Sequence, residues 1–307
     1  MNTSREASLR PWLVFFFLGG FAWGASFLWI KIALNELDPF SLVTYRMAFG
    51  TLGTWLLLFA LKLPVSYTRQ RLLGSMFIGF LGLAIPITLL SWGETRIDSG
   101  LAGILNGTVP LWAFVIAHFA LHDERITLHK ALGLGAGFLG LVILMSRDLQ
   151  PGSWSGSILG QLAVIGMAIC YAISIVFTRR YLRGQHPVNT SAIAITTALA
   201  SMLILTPIFE SRIAVPRLPL TWLACAWLGV IGLSLALWAQ YYLINHWGAT
   251  RTTLVAYVMP VMAVILGIIF LNERLTWHLL VGGVLVIGGV GLVNATAISA
   301  WRRRGHS

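Results

Sequence analysis

Arg46 is a charged residue placed inside an apolar segment of the chain, about seven residues from its start. At 1.5 Å per helical residue it lies roughly 10 Å deep. A charge at such depth is costly and usually faces a cavity or a partner. Arg46 could therefore recognise the carboxylate of a substrate or form a gating ion pair. The alternative is a side chain that snorkels to the boundary of the segment.

Other polar and aromatic side chains in apolar segments could contact a small solute. The amides of Asn106 and Gln240 both donate and accept hydrogen bonds, which suits a zwitterion or an amide. Each could equally bond a neighbouring helix, and aromatic residues also form interfacial belts. With Arg46, the predicted cavity residues are Trp23, Ser26, Trp92, Asn106, Tyr171, Ser174, Gln240 and Tyr241.

Several charges lie at the ends of apolar segments. Lys31, Glu94 and Arg179 are predicted to be gate or boundary charges, which either pair across the protein or snorkel. Glu124 and Glu273 are predicted to be structural. Their expected partners are the adjacent arginines or the amides at a helix start, where negative charge is favoured.

Prolines and glycines inside apolar segments predict bends and close packing. Pro86, Pro110 and Pro260 each remove an intrahelical hydrogen bond, so they are expected to bend the helices that shape a cavity. Gly133 and Gly137 have the spacing of small residues at helix contacts. That spacing could serve either an internal contact or a homodimer.

The sequence contains no pattern typical of a cofactor or metal site. Its two cysteines and seven histidines form no cluster with metal-ligand spacing, and no Walker-type phosphate loop is present. No carboxylate lies near the centre of an apolar segment, so a proton relay is not evident. We therefore expect no metal, no cofactor and no enzymatic activity, and leave both proton coupling and uniport open.

The composition indicates that lipid is the solvent of this chain. Hydrophobic residues make up 57% and charged residues 10% of 307 residues, and the mean hydropathy is +0.82. A soluble domain carries about 25% charged residues. Ten apolar segments approach the roughly 20 residues needed to cross a bilayer. They span 11–33, 39–61, 71–92, 100–121, 128–146, 157–181, 187–209, 220–244, 251–271 and 277–297.

The basic residues predict the orientation of these segments. With the N-terminus inside, 14 Lys and Arg residues fall on the inner side and 6 on the outer side, and Arg46 completes the total of 21. The positive-inside rule then places both termini in the cytoplasm. The first segment has no cleavage site after it and is predicted to be a retained helix of a multi-pass inner-membrane protein. Scattered basic residues without a basic face do not favour nucleic-acid binding.

The two halves of the chain resemble each other. At offsets of 148 to 150 residues, Ser26 matches Ser174, Gly82 matches Gly232, and Pro110 matches Pro260. The expected units are residues 1–149 and 150–307, the second with a basic tail. Each contains five segments, and because five is odd the second unit must enter the membrane inverted. Inverted repeats are a recurrent transporter architecture, with the binding site between the halves.

The motifs in these repeats resemble a known family. Trp23-Gly24-Ala25-Ser26-Phe27 opens the first copy, and Pro110 precedes the run from Asp123 to Thr127. Pro260 and the run from Asn272 to Thr276 repeat that arrangement. The pattern resembles the EamA family of the drug/metabolite transporter superfamily. The resemblance implies a ten-helix exporter fold with a central cavity, and export of amino acids, other metabolites or toxic small molecules.

Together these observations predict an all-α membrane protein that exports small metabolites by alternating access. Amino acids or related zwitterionic and amphipathic compounds are the expected substrates, and the expected partners are the substrate and the lipid bilayer. A uniporter or an importer is the main alternative. A membrane-embedded enzyme, a channel and a non-transporting scaffold are less favoured, since the required clustered residues or filter motifs are missing.

Overall fold

The structure is a computed structural model that describes residues 3–60, 62, 68–121, 127–146, 156–182, 187–248 and 252–294. Regular secondary structure in these ranges is entirely helical. Eight of the helices there are long and apolar enough to cross a membrane, and two shorter apolar helices follow them. The predicted all-α membrane architecture is confirmed at this level.

The helices follow one another closely along the chain. We label them α1 (Thr3–Phe16, Phe17–Gly24 and Ser26–Ala33), α2 (Pro39–Ala60), α3 (Arg69–Gly79, Phe80–Ala84 and Ile85–Glu94), α4 (Ser99–Asn106 and Val109–Ala120), α5 (Leu128–Ser146), α6 (Gly156–Tyr181), α7 (Pro187–Glu210), α8 (Pro219–Ala226, Trp227–Leu235 and Ala236–Trp247), α9 (Val255–Leu271) and α10 (Trp277–Val293).

Three of these helices contain a π-helical segment: Phe17–Gly24 in α1, Phe80–Ala84 in α3 and Trp227–Leu235 in α8. Such segments often mark functional sites because the wider turn re-aims the side chains that follow it. Pro86 is the second residue after the segment in α3, and Pro110 is the second residue of Val109–Ala120, the part of α4 that follows the break at 107–108. Pro260 lies inside α9.

The last two helices are shorter than the sequence predicts. Each has 17 residues, against predicted segments 251–271 and 277–297. Residues 249–251 and 295–307, which include the basic C-terminal tail, lie outside the described ranges, as does Glu124.

Large apolar side chains cover the outside of the bundle. Phe59, Phe119 and Val284 are each at least 70% exposed, and many other Leu, Ile and Phe side chains lie outward along the helices. Since lipid is as apolar as these side chains, a surface of this kind fits a bilayer.

Glycine pairs bring α5 and α10 together. A Cβ atom on Gly133 would lie 2.7 Å from the carbonyl oxygen of Gly289, and one on Gly140 would lie 2.7 Å from that of Gly282. A Cβ on Gly289 would also lie 2.6 Å from the amide nitrogen of Gly137. The Gly133/Gly137 spacing therefore lies at an internal contact between these helices.

Some contacts between the halves occur twice, with the roles of the two halves exchanged. A Cβ atom added to Gly232 would lie 3.3 Å from the hydroxyl oxygen of Ser26, and a Cβ atom added to Gly82 would lie 2.8 Å from the hydroxyl oxygen of Ser174. Likewise, α2 packs on α7, α4 on α9 and α5 on α10, so these helices contact their own counterparts. This pattern is what an approximate two-fold relation between the halves would produce.

Candidate functional site

Arg46 lies where α2 crosses the π-helical segment of α8. Gly229 allows this close approach, because a Cβ there would lie 2.7 Å from the Arg46 carbonyl oxygen. The Arg46 side chain is 5% exposed, and its Nε and Nη1 atoms have no hydrogen-bond partner. Its Nη2 atom lies 3.8 Å from the position of a Cβ on Gly232. The guanidinium is therefore held at the junction of the two halves.

Two predicted cavity residues from α1 lie at the same junction. The indole of Trp23 donates a 3.2 Å hydrogen bond to the carbonyl oxygen of Gly232. The hydroxyl of Ser26 donates to the Ala22 carbonyl oxygen and also packs on Gly232. The π-helical segments of α1 and α8 thus face each other beside Arg46.

Glu94 ends α3 and is completely buried. Both of its carboxylate oxygens lack a hydrogen-bond partner, and so does the hydroxyl of Ser91 one turn earlier. Lys31, in the last turn of α1, donates from Nζ to the backbone carbonyl oxygen of Glu94. Lys31 therefore holds the end of α3 against α1 without bonding the carboxylate itself.

Electrostatic interactions connect these groups. Arg46 lies within electrostatic range of Tyr171 and Glu94, and Glu94 also lies within range of Lys31 and Glu273. We call Lys31, Arg46, Glu94 and Tyr171 the charged centre. It draws one residue from each of α1, α2, α3 and α6, so both halves contribute to it.

At one end of the bundle, carboxylates of one half form hydrogen bonds with the other half. Glu210 at the end of α7 accepts hydrogen bonds from the amides of Phe40 and Ser41, at 2.7 and 2.9 Å. Glu273 accepts from the amides of Ser99 and Gly100 at the same two distances. Each carboxylate satisfies free amides at the start of a helix, where negative charge is favoured.

Glu36 makes a third contact of the same type. Here the carboxylate belongs to the first half and the amides belong to the second. It accepts hydrogen bonds from the amides of Arg217 and Leu218, just before α8. A hydrogen bond with the Thr221 side chain and these amides lower the pKa of Glu36. We call the part of the bundle that carries Glu36, Glu210 and Glu273 the carboxylate end.

A small pocket of about 60 Å³ lies toward the other end, between α2, α7 and α8. Gln240 and Tyr241 line it with Thr54, Ser191 and Ser234. Ser234 accepts a hydrogen bond from Thr54 and donates one to the Gly50 carbonyl oxygen. Thr54 is eight residues beyond Arg46 on α2, so this pocket lies roughly 12 Å from the charged centre along the helix.

The remaining predicted cavity residues lie elsewhere. Trp92 carries the guanidinium of Arg96 over its ring at 3.6 Å, and Asn106 ends the first part of α4. Ser174 donates to the Cys170 carbonyl oxygen beside Gly82, and Arg179 lies in the last turn of α6. Of the predicted cavity residues, the structure therefore brings Trp23, Ser26 and Tyr171 near Arg46. The other predicted cavity residues lie elsewhere.

Sequence reasoning missed two features of this site. It placed Glu94 at a boundary without expecting complete burial, and it assigned no role to Glu36 or Glu210. An acidic residue beside each short connection was a usable signal for helix capping across the bundle. Two partners were expected for Glu273, the adjacent arginine or the amides at a helix start. Its hydrogen bonds are formed with the amides of Ser99 and Gly100 at the start of α4. Among the described residues no group of three or more His, Cys, Asp or Glu could hold a metal ion.

Comparison with known proteins agrees with this architecture. The EamA-like transporter family matches twice, at residues 10–146 and 158–295. YoaV of Bacillus subtilis, an uncharacterized transporter, is 24% identical over 271 residues, which cover 87% of this chain and 91% of YoaV. YedA of Escherichia coli K12, an uncharacterized inner membrane transporter, is 29% identical over 254 residues, or 80% and 78% of the two chains.

A solved crystal structure also shares the fold. It is 20% identical in sequence, covers 96% of this chain and 98% of its own, and superposes with a TM-score of 0.64.

Proposed function

The chain belongs to the EamA-like transporter family, and on that premise we propose that this membrane transporter exports small metabolites by alternating access. Amino acids and related zwitterionic or amphipathic compounds are the proposed substrates. We propose that the protein lies in the inner membrane of the cell. Its proposed topology is ten membrane-spanning helices in two inverted halves, with both termini in the cytoplasm. The family and the names of its relatives indicate a membrane transporter.

The observation that carries this proposal is the closure of the carboxylate end. Glu36, Glu210 and Glu273 each bridge from one half to the other. Hydrogen bonds of this kind, each to a charged acceptor, contribute about 1.5–3 kcal/mol. They can therefore hold one end shut and yet be broken by a modest change in binding energy.

The direction of transport that this proposal implies depends on which side of the membrane the carboxylate end faces. The excess of basic residues assigned to the opposite side supports an orientation with the carboxylate end outside the cell. The charged centre would then load from the cytoplasm, past the pocket that contains Gln240 and Tyr241. Opening of the carboxylate end would release the substrate outside.

A disulfide across the carboxylate end tests this mechanism. The amide of Ala214 donates to the Ser41 hydroxyl at 3.0 Å, so cysteines at these two positions lie within bonding reach. In a background lacking Cys170 and Cys225, we expect Ser41→Cys/Ala214→Cys to lose export when oxidised and to recover when reduced. The measurement is efflux of a toxic amino-acid analogue from overproducing cells and from proteoliposomes.

The single cysteine variants are the controls, since neither can form the intramolecular bond. They should export at the same rate in oxidant and in reductant. Full export by the cross-linked protein would mean that the carboxylate end does not open during transport.

A further inference from the structure

Glu94 is the one acidic residue that is buried in the part of the chain that the structure describes. Its side chain has no exposed surface, and neither of its carboxyl oxygens has a hydrogen-bond partner. A carboxylate ion in such surroundings is strongly destabilising, because it has lost its water and gained no bond in return. The neutral acid avoids most of this cost, so burial of this kind favours a carboxyl group that holds a proton.

Close packing keeps water away from this end of α3. A Cβ atom added to Gly93 would lie 2.6 Å from Cγ2 of Val164 and 2.9 Å from the carbonyl oxygen of Gly160, both on α6. Leu90 and Ile97, on either side of Glu94 in the chain, are themselves buried. In this closed arrangement there is no surrounding solvent to stabilise a charge on the carboxyl group.

The hydrogen bond of Lys31 leaves the carboxyl group of Glu94 without a counterion in direct contact. The Nζ atom of Lys31 donates to the backbone carbonyl oxygen of Glu94 at 2.5 Å. One turn earlier on the same face of α3, the hydroxyl of Ser91 is also buried and without a partner. Lys31 is therefore placed beside Glu94 and can pair with its carboxylate only after the helix ends rearrange.

Other ionisable groups face this end of α3 from the elements around it. They are Arg46 on α2, Tyr171 on α6, Glu273 before α10, and Arg96 and Asp98 in the connection after α3. None of them bonds the carboxyl group, since neither of its oxygens has a partner. Glu273 brings a second negative charge into electrostatic range, which further disfavours a charge on Glu94.

We propose that Glu94 carries one proton inward for each solute that the protein exports. When the carboxylate end is open, water reaches Glu94, whose carboxylate pairs with the Lys31 ammonium until it takes a proton from hydronium outside. Closure of this end then buries the neutral acid, which is the arrangement described here. Loading of a solute from the cytoplasm admits water from that side, and the carboxyl O–H bond breaks to give the proton to that water. This inference rests on the proposed function and names its coupling ion.

Infrared spectroscopy tests whether Glu94 holds the proton. The full chain is studied at pH 7 in dodecyl maltoside, a detergent without a carbonyl group. A protonated carboxylic acid has a C=O stretch that ionised carboxylates lack, and ordinary Asp and Glu side chains are ionised at this pH. We expect one such band in the wild type, shifted in D₂O and missing from Glu94→Gln. A wild type without this band, or a band that persists in Glu94→Gln, would overturn the proposal.

Two further variants control this measurement. Glu210→Gln removes a carboxylate that accepts backbone hydrogen bonds from Phe40 and Ser41, and it should keep the band. Glu94→Asp keeps a carboxyl group near the same place and should also keep a band, at a shifted position. Loss of the band in Glu210→Gln would assign the proton to the wrong residue.

Transport into proteoliposomes tests the coupling. The probe is a radiolabelled mixture of the standard L-amino acids, and valinomycin with equal potassium on both sides sets the membrane potential to zero. In vesicles with an acidic lumen the wild type should accumulate solute, up to about tenfold for each unit of the pH gradient if one proton is exchanged per solute. Glu94→Gln should still exchange labelled for unlabelled solute but should not accumulate it, because an amide neither takes up nor releases the proton.

The outcomes separate this inference from the proposed function. If the wild type exchanges solute but the pH gradient causes no accumulation, the proton coupling is wrong and the transporter stands. If Glu94→Gln accumulates solute as the wild type does, the proton travels elsewhere and the assignment to Glu94 is wrong. If the wild type exchanges no solute, the proposed function fails, and the infrared band still decides whether Glu94 holds a proton.

Discussion

At the scale of single residues, the carboxylates of this protein divide into two kinds. Glu36, Glu210 and Glu273 each accept backbone hydrogen bonds at the start of a helix. Glu94 is more deeply buried and accepts none through its side chain. The first kind stabilises one arrangement of the helices, whereas the buried carboxylate of Glu94 makes no such contact.

Glu36 makes the stability of the carboxylate end depend on pH. Because the pKa of Glu36 is lowered below its ordinary value of 4.5, its contribution is complete above that pH. It is lost as the pH falls through the lowered pKa. Spin labels at Asn35 and Val215 should report one short distance at pH 7, and a longer distance should grow on acidification.

Glu36→Gln provides the comparison for this measurement. The variant should show part of the longer distance already at pH 7, and its difference from the wild type should disappear in acid. A constant difference at every pH would mean that Glu36 does not hold this end through its charge.

At the scale of elements, close helix contacts depend on glycines in particular places. The contact of α5 with α10 brings backbone against backbone at Gly133, Gly140, Gly282 and Gly289. Backbone atoms cannot move aside as a flexible side chain can. This contact should therefore tolerate substitution poorly, although glycine itself is unfavourable within a helix.

Gly140→Ala should destabilise the protein by about 1–3 kcal/mol, as overpacking does elsewhere. The added Cβ would lie 2.7 Å from the Gly282 carbonyl oxygen and 2.9 Å from the Cβ of Leu285. Gly135→Ala is the control, because a Cβ there meets nothing within 4 Å. It should leave the Tm unchanged or raise it. Thermal unfolding in detergent measures both, and equal Tm values for the two variants would contradict this account.

At the scale of the whole molecule, the ends of the bundle differ in charge. The carboxylate end has Glu36, Glu210 and Glu273, and the predicted topology assigns 14 of the 21 arginines and lysines to the opposite side of the membrane. This difference fixes which state the structure represents, once the orientation in the membrane is known.

Reporter fusions test the orientation. A reporter that is active only in the cytoplasm should work when fused after residue 307, and one inserted between Arg212 and Arg217 should not. Glycosylation-type or periplasmic reporters should give the reverse pattern. Periplasmic activity of the C-terminal fusion would reverse the topology and turn the proposed exporter into an importer.

Much of the fold follows from hydropathy and from the repeat. Apolar length set most helix bounds within a few residues, because each helix must satisfy its own backbone in lipid. The depth of Arg46 on α2 was also predictable. The burial of Glu94 was not, since it depends on how α1, α2 and α6 pack around the end of α3.

The position of Gln240 shows a second limit of sequence reasoning. Gln240 was predicted to line the cavity because its amide can donate and accept hydrogen bonds, and this property does not specify the helix face on which the residue lies. The π-helical segment Trp227–Leu235 precedes Gln240 and has a wider turn, so the face of every later residue is rotated. Gln240 consequently lines the pocket near Thr54 and Tyr241, and not the charged centre.

The exchanged contacts of Ser26 with Gly232 and of Ser174 with Gly82 have an evolutionary consequence. Two identical five-helix chains would make each such contact twice, and would bury every functional charge twice. Joining the copies lets them diverge: Arg46 corresponds to Ala194, and Glu94 to Ile244, at offsets of 148 and 150. A single chain can therefore carry one Arg46 and one Glu94 within two similar halves, whereas a pair of identical chains would bury two of each.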